Sequence, residues 1–179
     1  ALVLADGSLL LNRHRPRAAA MAVDAAVDPV LLEVFNNLFM NIAEQMGLQL
    51  QNTAYSVNIK ERLDFSCALF DAAGNLIANA PHMPVHLGSM GESIKTVIAK
   101  NAGRMKPGDV YVTNDPWLGT GHLFDYVMMT PVFLGKKLVA FFASTCHVID
   151  VGGVGMSAKA NSSYEEGTLI PHLKMRKEG

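Results

Sequence analysis

Two long apolar runs separated by a tight turn constrain this fold more than any other feature of the sequence. Residues 126–134 read YVMMTPVFL and residues 138–148 read LVAFFASTCHV, with GKK at 135–137 between them. β-Branched and aromatic residues favour strands, and a Gly-x pair is a common closure for a two-residue hairpin. The sequence therefore predicts one long antiparallel hairpin, in which Pro131 favours an edge position or a bulge.

The predicted turn also fixes which residues face each other across the hairpin. If Leu134 pairs with Lys137, the same register places His147 opposite Phe124. His147 then arrives at the same end of the hairpin as the segment GTGHLFD at 119–125, which contains a second histidine and an aspartate. Residues that are distant along the chain are thus predicted to be neighbours in space.

The segment 119–125 carries two glycines, and we interpret it as a loop or turn. In a straight strand His122 and Asp125 would point to opposite faces, whereas in a turn residues three apart can converge. Together with His147 they would form a divalent-metal site with open positions, in which the ion polarises a carbonyl or activates a water. Asp150 is then a fourth ligand or the acceptor that orients an imidazole.

A purely structural interpretation of these residues stays open. A histidine that follows a strand is often a hydrogen-bonded polar cap, and Asp150 precedes Val-Gly-Gly as an ordinary turn residue would. The pattern is more specific than a lone histidine and less specific than paired CxxC motifs.

A second histidine pair lies in NAPHMPVHLGSM, residues 79–90. Its prolines argue against a helical HxxxH motif, so we expect an extended segment that leads to a helix capped by Ser89. His86 is a candidate catalytic residue in contact with the substrate, and His82 is a candidate for substrate binding. Arg62, in a charged run before a strand, is a candidate for contact with an anionic substrate. The alternative interpretation is that His82 and His86 are loop histidines hydrogen-bonded to the backbone, and that the charged run around Arg62 is a solvated edge.

The remaining patterns predict an α+β fold, with helices covering one side of a largely antiparallel sheet. Asp28-Pro29 opens a helix with a buried apolar stripe. The stripe comprises Leu31, Val34, Phe35, Leu38, Ile42, Met46 and Leu50. FSCALFD and LIANA read as strands around a turn in which Gly74 and Asn75 adopt positive φ, and KPGDVYVTND reads as a turn and a strand. Residues 1–27 are interpreted as a linker or extension, and 28–179 as one domain.

Composition excludes several classes of function. The formal net charge is −1, with 15 basic and 16 acidic residues among 179, so a nucleic-acid partner is not expected. No apolar run approaches the ~18 residues of a membrane helix. Cys67 and Cys146 lie in apolar runs and are predicted to be buried reduced thiols, which indicates a cytoplasmic protein. Only 17% of residues are charged, which predicts packing against something larger, and the C-terminal sequence reads as one segment of a longer chain.

Several blocks of this sequence together resemble the hydantoinase B family, from about Asp28 to the end. They are FMNIAEQMG, NTAYSVNIKERLDFSCALFD, NAPHMPVHLGSM, KPGDVYVTNDP, GHLFD and CHVIDVGG, in this order. The family includes the C-terminal half of ATP-dependent 5-oxoprolinases and subunits of N-methylhydantoinases, caprolactamases, and acetone and acetophenone carboxylases. The chain looks closest to the 5-oxoprolinase branch and matches an N-terminal part of the family fold.

The resemblance implies an ATP-dependent amidohydrolase that opens a lactam or cyclic imide ring. A hydantoinase A-like partner, as a subunit or a domain, would use ATP and Mg²⁺ to phosphorylate the carbonyl oxygen of a small cyclic amide, in a hetero-oligomer. The B part would complete the reaction with a divalent metal such as Zn, Mn or Fe. The family's ligands map onto His122, Asp125 and His147.

The chain departs from the family pattern at four positions, which the resemblance places inside the site. Phe124 replaces a proline, Cys146 replaces the first histidine of a pair, Gly121 replaces a hydroxyl residue, and Tyr126 replaces a smaller residue. Two alternatives therefore stand beside the amidohydrolase: a subunit of an ATP-dependent ketone carboxylase, and a catalytically inactive scaffold subunit.

Overall fold

The predicted hairpin forms the middle of a six-stranded antiparallel sheet in the computed structural model. The described residues are 28–80 and 83–176, together with the backbone of 2–3 and 9–10. In chain order the elements are β1 (Leu2–Val3), β2 (Leu9–Leu10), α1 (Pro29–Thr53), α2 (Val57–Lys60), β3 (Phe65–Asp71), β4 (Leu76–Asn79), α3 (Pro84–Asn101), β5 (Asp109–Thr113), a 3₁₀ turn (Pro116–Leu118), β6 (Asp125–Leu134), β7 (Lys137–His147), α4 (Ser163–Glu166) and β8 (Leu173–Arg176). The strands of the large sheet lie in the order β4-β3-β7-β6-β5-β8.

The chain divides into two compact units, residues 1–34 and 35–179. In the first unit β1 pairs with β2 in antiparallel fashion. The carboxylate of Asp28 accepts a hydrogen bond of 2.9 Å from the backbone nitrogen of Val30, as expected for the residue that caps α1. Most of residues 1–27 lie outside the described part of the chain, so their interpretation as a linker or extension stays a prediction.

In the second unit the helices cover both faces of the large sheet, which corrects the prediction that they cover one side. Alternate residues of β3 point in opposite directions. Ala68 and Phe70 pack against α3, whereas Leu69 packs against α1 at Ala43. The fold is therefore α+β, as predicted, with a helix on each side of the antiparallel sheet.

The predicted buried stripe of α1 is only partly confirmed. Leu31, Val34, Phe35 and Leu38 are each about half exposed (52%, 55%, 46% and 50%). Ile42, Met46 and Leu50 pack partly against the sheet. The fully buried positions are the small residues Ala43 and Gly47, whose size allows the helix to approach the strands closely.

A β-bulge in the hairpin shifts the predicted register by one residue. The turn at 134–137 pairs as predicted, but Val139 on β7 has no partner, because Val132 and Phe133 pair with residues 140 and 138. His147 therefore lies opposite Asp125 rather than opposite residue 124. The extra residue places both side chains on one face of the sheet, which the predicted register would not have done.

Pro131 lies beside this bulge. It pairs with Phe141 of β7, while the pairing of β6 with β5 begins at Val127 and ends at Met129. β6 has no β5 partner at Pro131, so the N–H that proline lacks leaves no hydrogen bond of that pairing unmade. This explains how a proline fits in a strand that is otherwise central.

Two smaller predictions have mixed outcomes. Cys67 and Cys146 are buried, and neither is in a disulfide bond; burial raises the thiol pKa of Cys67 to about 12. In the turn between β3 and β4, Gly74 has a φ of +83°, but Asn75 does not adopt positive φ. Asn75 instead donates its side-chain amide to the carboxylate of Asp71 at 2.8 Å.

None of the helices in the described part of the chain combines the length and hydropathy that a bilayer crossing requires.

His172 connects the end of α3 to the segment that leads into β8. The side-chain amide of Asn101 donates to His172 Nε2 at 2.8 Å and to the Val97 carbonyl at 2.8 Å. Burial lowers the pKa of His172, and the nearby Lys100 and Arg104 lower it further. The folded chain therefore holds this imidazole neutral, with Nε2 as an acceptor.

This arrangement predicts a loss of stability in acid. Because the folded pKa of His172 lies below the unfolded value, its contribution is complete above about pH 6.5 and falls as the pH drops towards the folded pKa. We expect His172→Gln to flatten the pH dependence of the free energy of unfolding in this window. Urea titrations of both proteins at several pH values measure the slopes, and equal slopes would contradict the assignment.

Candidate metal centre

The ends of three neighbouring strands meet at one end of the large sheet and bring distant residues together. β6 begins at Asp125, β7 ends at His147, and β3 begins just after Asp64. The backbone nitrogen of His147 donates to the Asp64 carbonyl at 3.0 Å. The loop at 119–125, here called the ligand loop, adds His122 through a turn in which the Asp125 nitrogen donates to the His122 carbonyl at 3.4 Å.

The predicted metal ligands converge. His122, Asp125 and His147 each offer a ligand atom, and these atoms lie within 4.8 Å of one another. The Asp125 carboxylate lies between the rings, with Oδ2 3.2 Å from His122 Nε2 and Oδ1 3.1 Å from His147 Nδ1. Asp125 is only 4% exposed, so its charge is removed from water and is stabilised by these partners.

His86 reaches the same place from α3. This corrects the prediction of an extended segment, because α3 begins at Pro84, with Met83 as its N-cap residue, and Ser89 lies inside it. Proline fits the first helical position, where its missing N–H is not needed. His86 is 3% exposed, and its Nε2 lies 3.6 Å from both Asp64 Oδ1 and Asp125 Oδ2.

Asp64 is a member of the site that sequence reasoning missed. Its Oδ2 also lies 3.8 Å from His147 Nδ1. The preceding Leu63 has a left-handed backbone with φ of +56°, a conformation that costs a side-chain-bearing residue about 1–2 kcal/mol. The position of Asp64 immediately before a strand was a usable signal, but only knowledge that β3 lies next to β7 would have placed it here.

Five residues thus form one histidine–aspartate cluster: Asp64, His86, His122, Asp125 and His147. They line a cavity of about 360 Å³, and no Lys or Arg is among the described residues that line it. Burial lowers the pKa of His86, against the opposing effect of the Asp125 and Asp64 carboxylates. Three imidazole rings and two carboxyl groups, with no basic side chain beside them in the described part of the lining, give the cavity nitrogen and oxygen donors that suit a cation.

Phe124, one of the departures from the family pattern, stacks on a predicted ligand. Its ring lies 5.5 Å from that of His147 at an interplanar angle of 15°, and it is 7% exposed. The expectation that Cys146 lies inside the site is wrong, because neighbouring strand residues face opposite ways. Cys146 packs with Phe65 and Tyr126 on the other face of the sheet.

Buried polar residues hold the ligand loop in place. Asn114 is fully buried. Its amide donates to the carbonyls of Leu123 and Thr168 at 2.9 Å each, and its Oδ1 accepts from the Ile170 nitrogen. Thr120 donates its hydroxyl to the His122 carbonyl at 3.1 Å. These bonds fix the backbone on both sides of His122.

Gly119 allows the ligand loop to rest on α3. Its φ is +119°, and an added Cβ would lie 2.7 Å from the Ser93 nitrogen and 2.9 Å from the Ser89 carbonyl oxygen. We expect Gly119→Ala to lower the free energy of unfolding by about 2–5 kcal/mol, from left-handed strain together with the clash. Gly121→Ala is the matched control, because Gly121 has φ of +90° but nothing within 4 Å; it should cost about 1–2 kcal/mol. Urea unfolding of both variants measures the difference, and equal losses would exclude the close approach.

The other predicted site residues do not join the cluster. Asp150 is exposed, and its carboxylate accepts a bond of 2.7 Å from the Gly152 nitrogen, as a turn residue does. Arg62 is exposed in the turn after α2 and is not among the described residues lining the cavity. His82 lies outside the described residues. The roles predicted for these three residues stay predictions.

The arrangement offers nitrogen and oxygen donors on one side and an opening on the other. The side chain of His122 is 38% exposed and that of His147 17%, so a ligand that enters the cavity reaches both rings. Fixed donors with an accessible position are the features of a catalytic rather than a structural metal site.

Comparisons with known proteins find a family and relatives over most of this chain. The family model described as Hydantoinase B/oxoprolinase matches residues 28–179. The chain is 49% identical over 157 residues to the 5-oxoprolinase of Saccharomyces cerevisiae, covering 86% of this chain and 12% of that protein. It is 33% identical over 156 residues to the caprolactamase subunit beta of Pseudomonas jessenii, covering 86% and 27%.

Solved structures share the fold. The crystal structure of ATP-dependent caprolactamase from Pseudomonas jessenii superposes with a TM-score of 0.78 at 32% identity, over 86% of this chain and 27% of that one. A nucleotide-free acetone carboxylase gives a TM-score of 0.74 at 24% identity, over 82% and 20%. The chain thus spans a minor part of the length of these relatives.

Proposed function

This chain belongs to the hydantoinase B/oxoprolinase family, and we propose that it carries the metal centre of an ATP-dependent amidohydrolase that opens a lactam or cyclic imide ring. The observation that carries this proposal is the convergence of His122, Asp125 and His147 within 4.8 Å. Identity of 49% to a 5-oxoprolinase supports a small cyclic amide as the substrate.

The donor set fits a divalent ion. Asp125 is a buried carboxylate that faces imidazole nitrogens on both of its oxygens. His122 Nδ1 is buried and has no hydrogen-bond partner within the described residues, so the ring is held by Nε2 and its surroundings. Two imidazoles with one carboxylate suit Zn²⁺, Mn²⁺ or Fe²⁺.

In this proposal His122, Asp125 and His147 hold the ion, which supplies a Lewis acid for the activated carbonyl and a means to acidify water. The chain's own residues do the rest. Phe124 keeps the His147 ring oriented by stacking, and Thr120 fixes the His122 backbone. The cavity beside these rings, of about 360 Å³, is near the lower limit for a ligand pocket and suits a small ring.

A hydantoinase A-like subunit or domain would supply ATP chemistry in this scheme, with Mg²⁺ bound on that side. Relatives named as a caprolactamase subunit and as an ATP-dependent caprolactamase support a multi-component enzyme. Ketone carboxylation is the less favoured candidate, because the likeness to acetone carboxylase is only 24% in identity. An inactive scaffold is also less favoured, since Phe124 and Cys146 leave the ligands in place.

Elemental analysis tests the metal assignment. We expect a stoichiometric transition metal or zinc in the purified chain, and its loss in His122→Ala and in His147→Ala with unchanged circular dichroism. Full occupancy in either variant would exclude that ligand, and absence of metal from a folded wild type would favour the scaffold.

Product analysis tests the reaction. The protein, assayed together with the ATP-using component, should open a lactam in an ATP-dependent manner without bicarbonate. A carboxylated product that requires bicarbonate would select the carboxylase instead.

A further inference from the structure

Two hydrogen-bond contacts of Ser66, one to Met83 and one to His86, determine where the protons lie between β3 and α3. Ser66 Oγ lies 3.1 Å from the Met83 carbonyl oxygen and 3.1 Å from His86 Nδ1. A carbonyl only accepts, so the single hydroxyl proton of Ser66 goes to Met83. The bond to His86 then requires Nδ1–H to donate to Ser66, which leaves His86 Nε2 as the free lone pair when the ring is neutral.

That lone pair faces negative charge. His86 Nε2 lies 3.6 Å from Asp64 Oδ1 and 3.6 Å from Asp125 Oδ2. A cation between His86 Nε2 and these two carboxylate oxygens, either a proton or a metal ion, offsets their mutual repulsion. The same Asp125 oxygen is 3.2 Å from His122 Nε2, which brings the His86 ring beside the proposed metal ligands, although His86 is not in the group whose ligand atoms lie within 4.8 Å of one another.

We infer that Ser66 is a positioning residue that holds His86 in the Nδ1–H form, and that His86 binds the metal ion through Nε2 as a third imidazole ligand. This rests on the proposed function, because it assigns a further ligand to the same ion. It replaces contact with the substrate as the role of His86. Three imidazoles favour Zn²⁺ or Fe²⁺ over hard ions such as Mg²⁺.

The burial and the positions of Ser66 and His86 suit the orientation of a metal ligand. Ser66 is fully buried and His86 is 3% exposed, so water cannot substitute for the hydroxyl. A partner on the second ring nitrogen fixes the orientation of a ligating histidine and raises its basicity, and its loss typically costs 10–100-fold in metal affinity. Ser66 stands on a central strand and His86 in the first turn of α3, both rigid supports.

Thr145 provides a matched control. It pairs with Ser66 across β3 and β7, it is equally buried, and its hydroxyl has no hydrogen-bond partner within the described residues. We expect Ser66→Ala to weaken Zn²⁺ binding by about 10–100-fold, and Thr145→Val to change it by less than about twofold. Competition with a chromophoric chelator measures both, with urea unfolding in parallel. Equal affinities in the two variants would overturn the role of Ser66.

Long-range ¹H–¹⁵N spectra of the imidazoles give a readout that does not depend on any variant folding. In the Zn²⁺-loaded wild type, His86 should keep a protonated Nδ1 while Nε2 shifts to a metal-bound position; His86→Gln identifies its signals. If Zn²⁺ shifts His122 and His147 but leaves His86 unchanged, the inference fails and the proposed function stands. If Zn²⁺ shifts none of the three, the proposed function itself fails.

Discussion

Replacing Asp125 by asparagine is expected to empty the metal centre while the sheet stays folded. Asp125 lies within 3.6 Å of three imidazoles, and asparagine keeps the shape of the side chain but removes the charge. Four-ligand zinc sites are worth about 10–16 kcal/mol, so one ligand accounts for roughly 3 kcal/mol, or at least about 100-fold in affinity. Chelator competition measures the loss, and circular dichroism monitors the fold.

Asp150→Asn is the control for this experiment. Asp150 follows His147 by three residues, but it is exposed and bonds only to the turn at Gly152 among the described residues. The metal affinity of this variant should equal that of the wild type. A loss comparable to that of Asp125→Asn would restore Asp150 to the site and would contradict the ligand set drawn from the geometry.

Asn114→Ala is expected to lower the stability of the fold strongly. It leaves the Leu123 and Thr168 carbonyls and the Ile170 nitrogen without their partner. An unpaired buried backbone group costs about 1–3 kcal/mol; the Leu123 carbonyl belongs to a buried residue and the other two groups to less buried ones, so we expect a loss of roughly 3–6 kcal/mol in total. Urea unfolding measures it, and metal affinity should fall as well because the ligand loop loses its support.

Asn79→Ala serves as the comparison for this variant. Asn79 is partly buried and donates one bond of 3.0 Å, to the neighbouring Ala80 carbonyl. Its loss should cost about 1 kcal/mol and leave metal affinity unchanged. If the two asparagine variants were equally stable, the network around Asn114 would not be what holds the ligand loop.

Local pattern was sufficient for the hairpin and for the end of it at which the three candidate metal ligands meet. Turn chemistry at Gly135 predicts that His122, Asp125 and His147 lie at one end of the hairpin, whereas the bulge that puts Asp125 and His147 on the same face was not predicted. The capping of α1 by Asp28 follows equally from two residues. Each of these features depends on residues that are close together in the sequence, so it can be predicted from the sequence alone.

What the sequence did not reveal depends on tertiary neighbours. The start of α3 at Pro84 was missed because proline was read as a breaker rather than as the first helical residue. Asp64 reaches His147 only because β3 lies beside β7, and Ser66 reaches His86 only because α3 packs on β3. No local pattern encodes either arrangement. The exposed half of the α1 stripe has the same origin, since helical periodicity marks an apolar face without saying what covers it.

The bulge at Val139 couples the length of the hairpin to the chemistry at its far end. Removing that one residue would rotate His147 to the side of the sheet where Cys146 now packs, although the deletion lies eight positions away. The hairpin therefore tolerates insertions or deletions of two residues, or of one residue on each strand at opposite positions, but not of a single residue. Whether the number of residues in the hairpin is odd or even, rather than the identity of any one side chain, is what must be preserved.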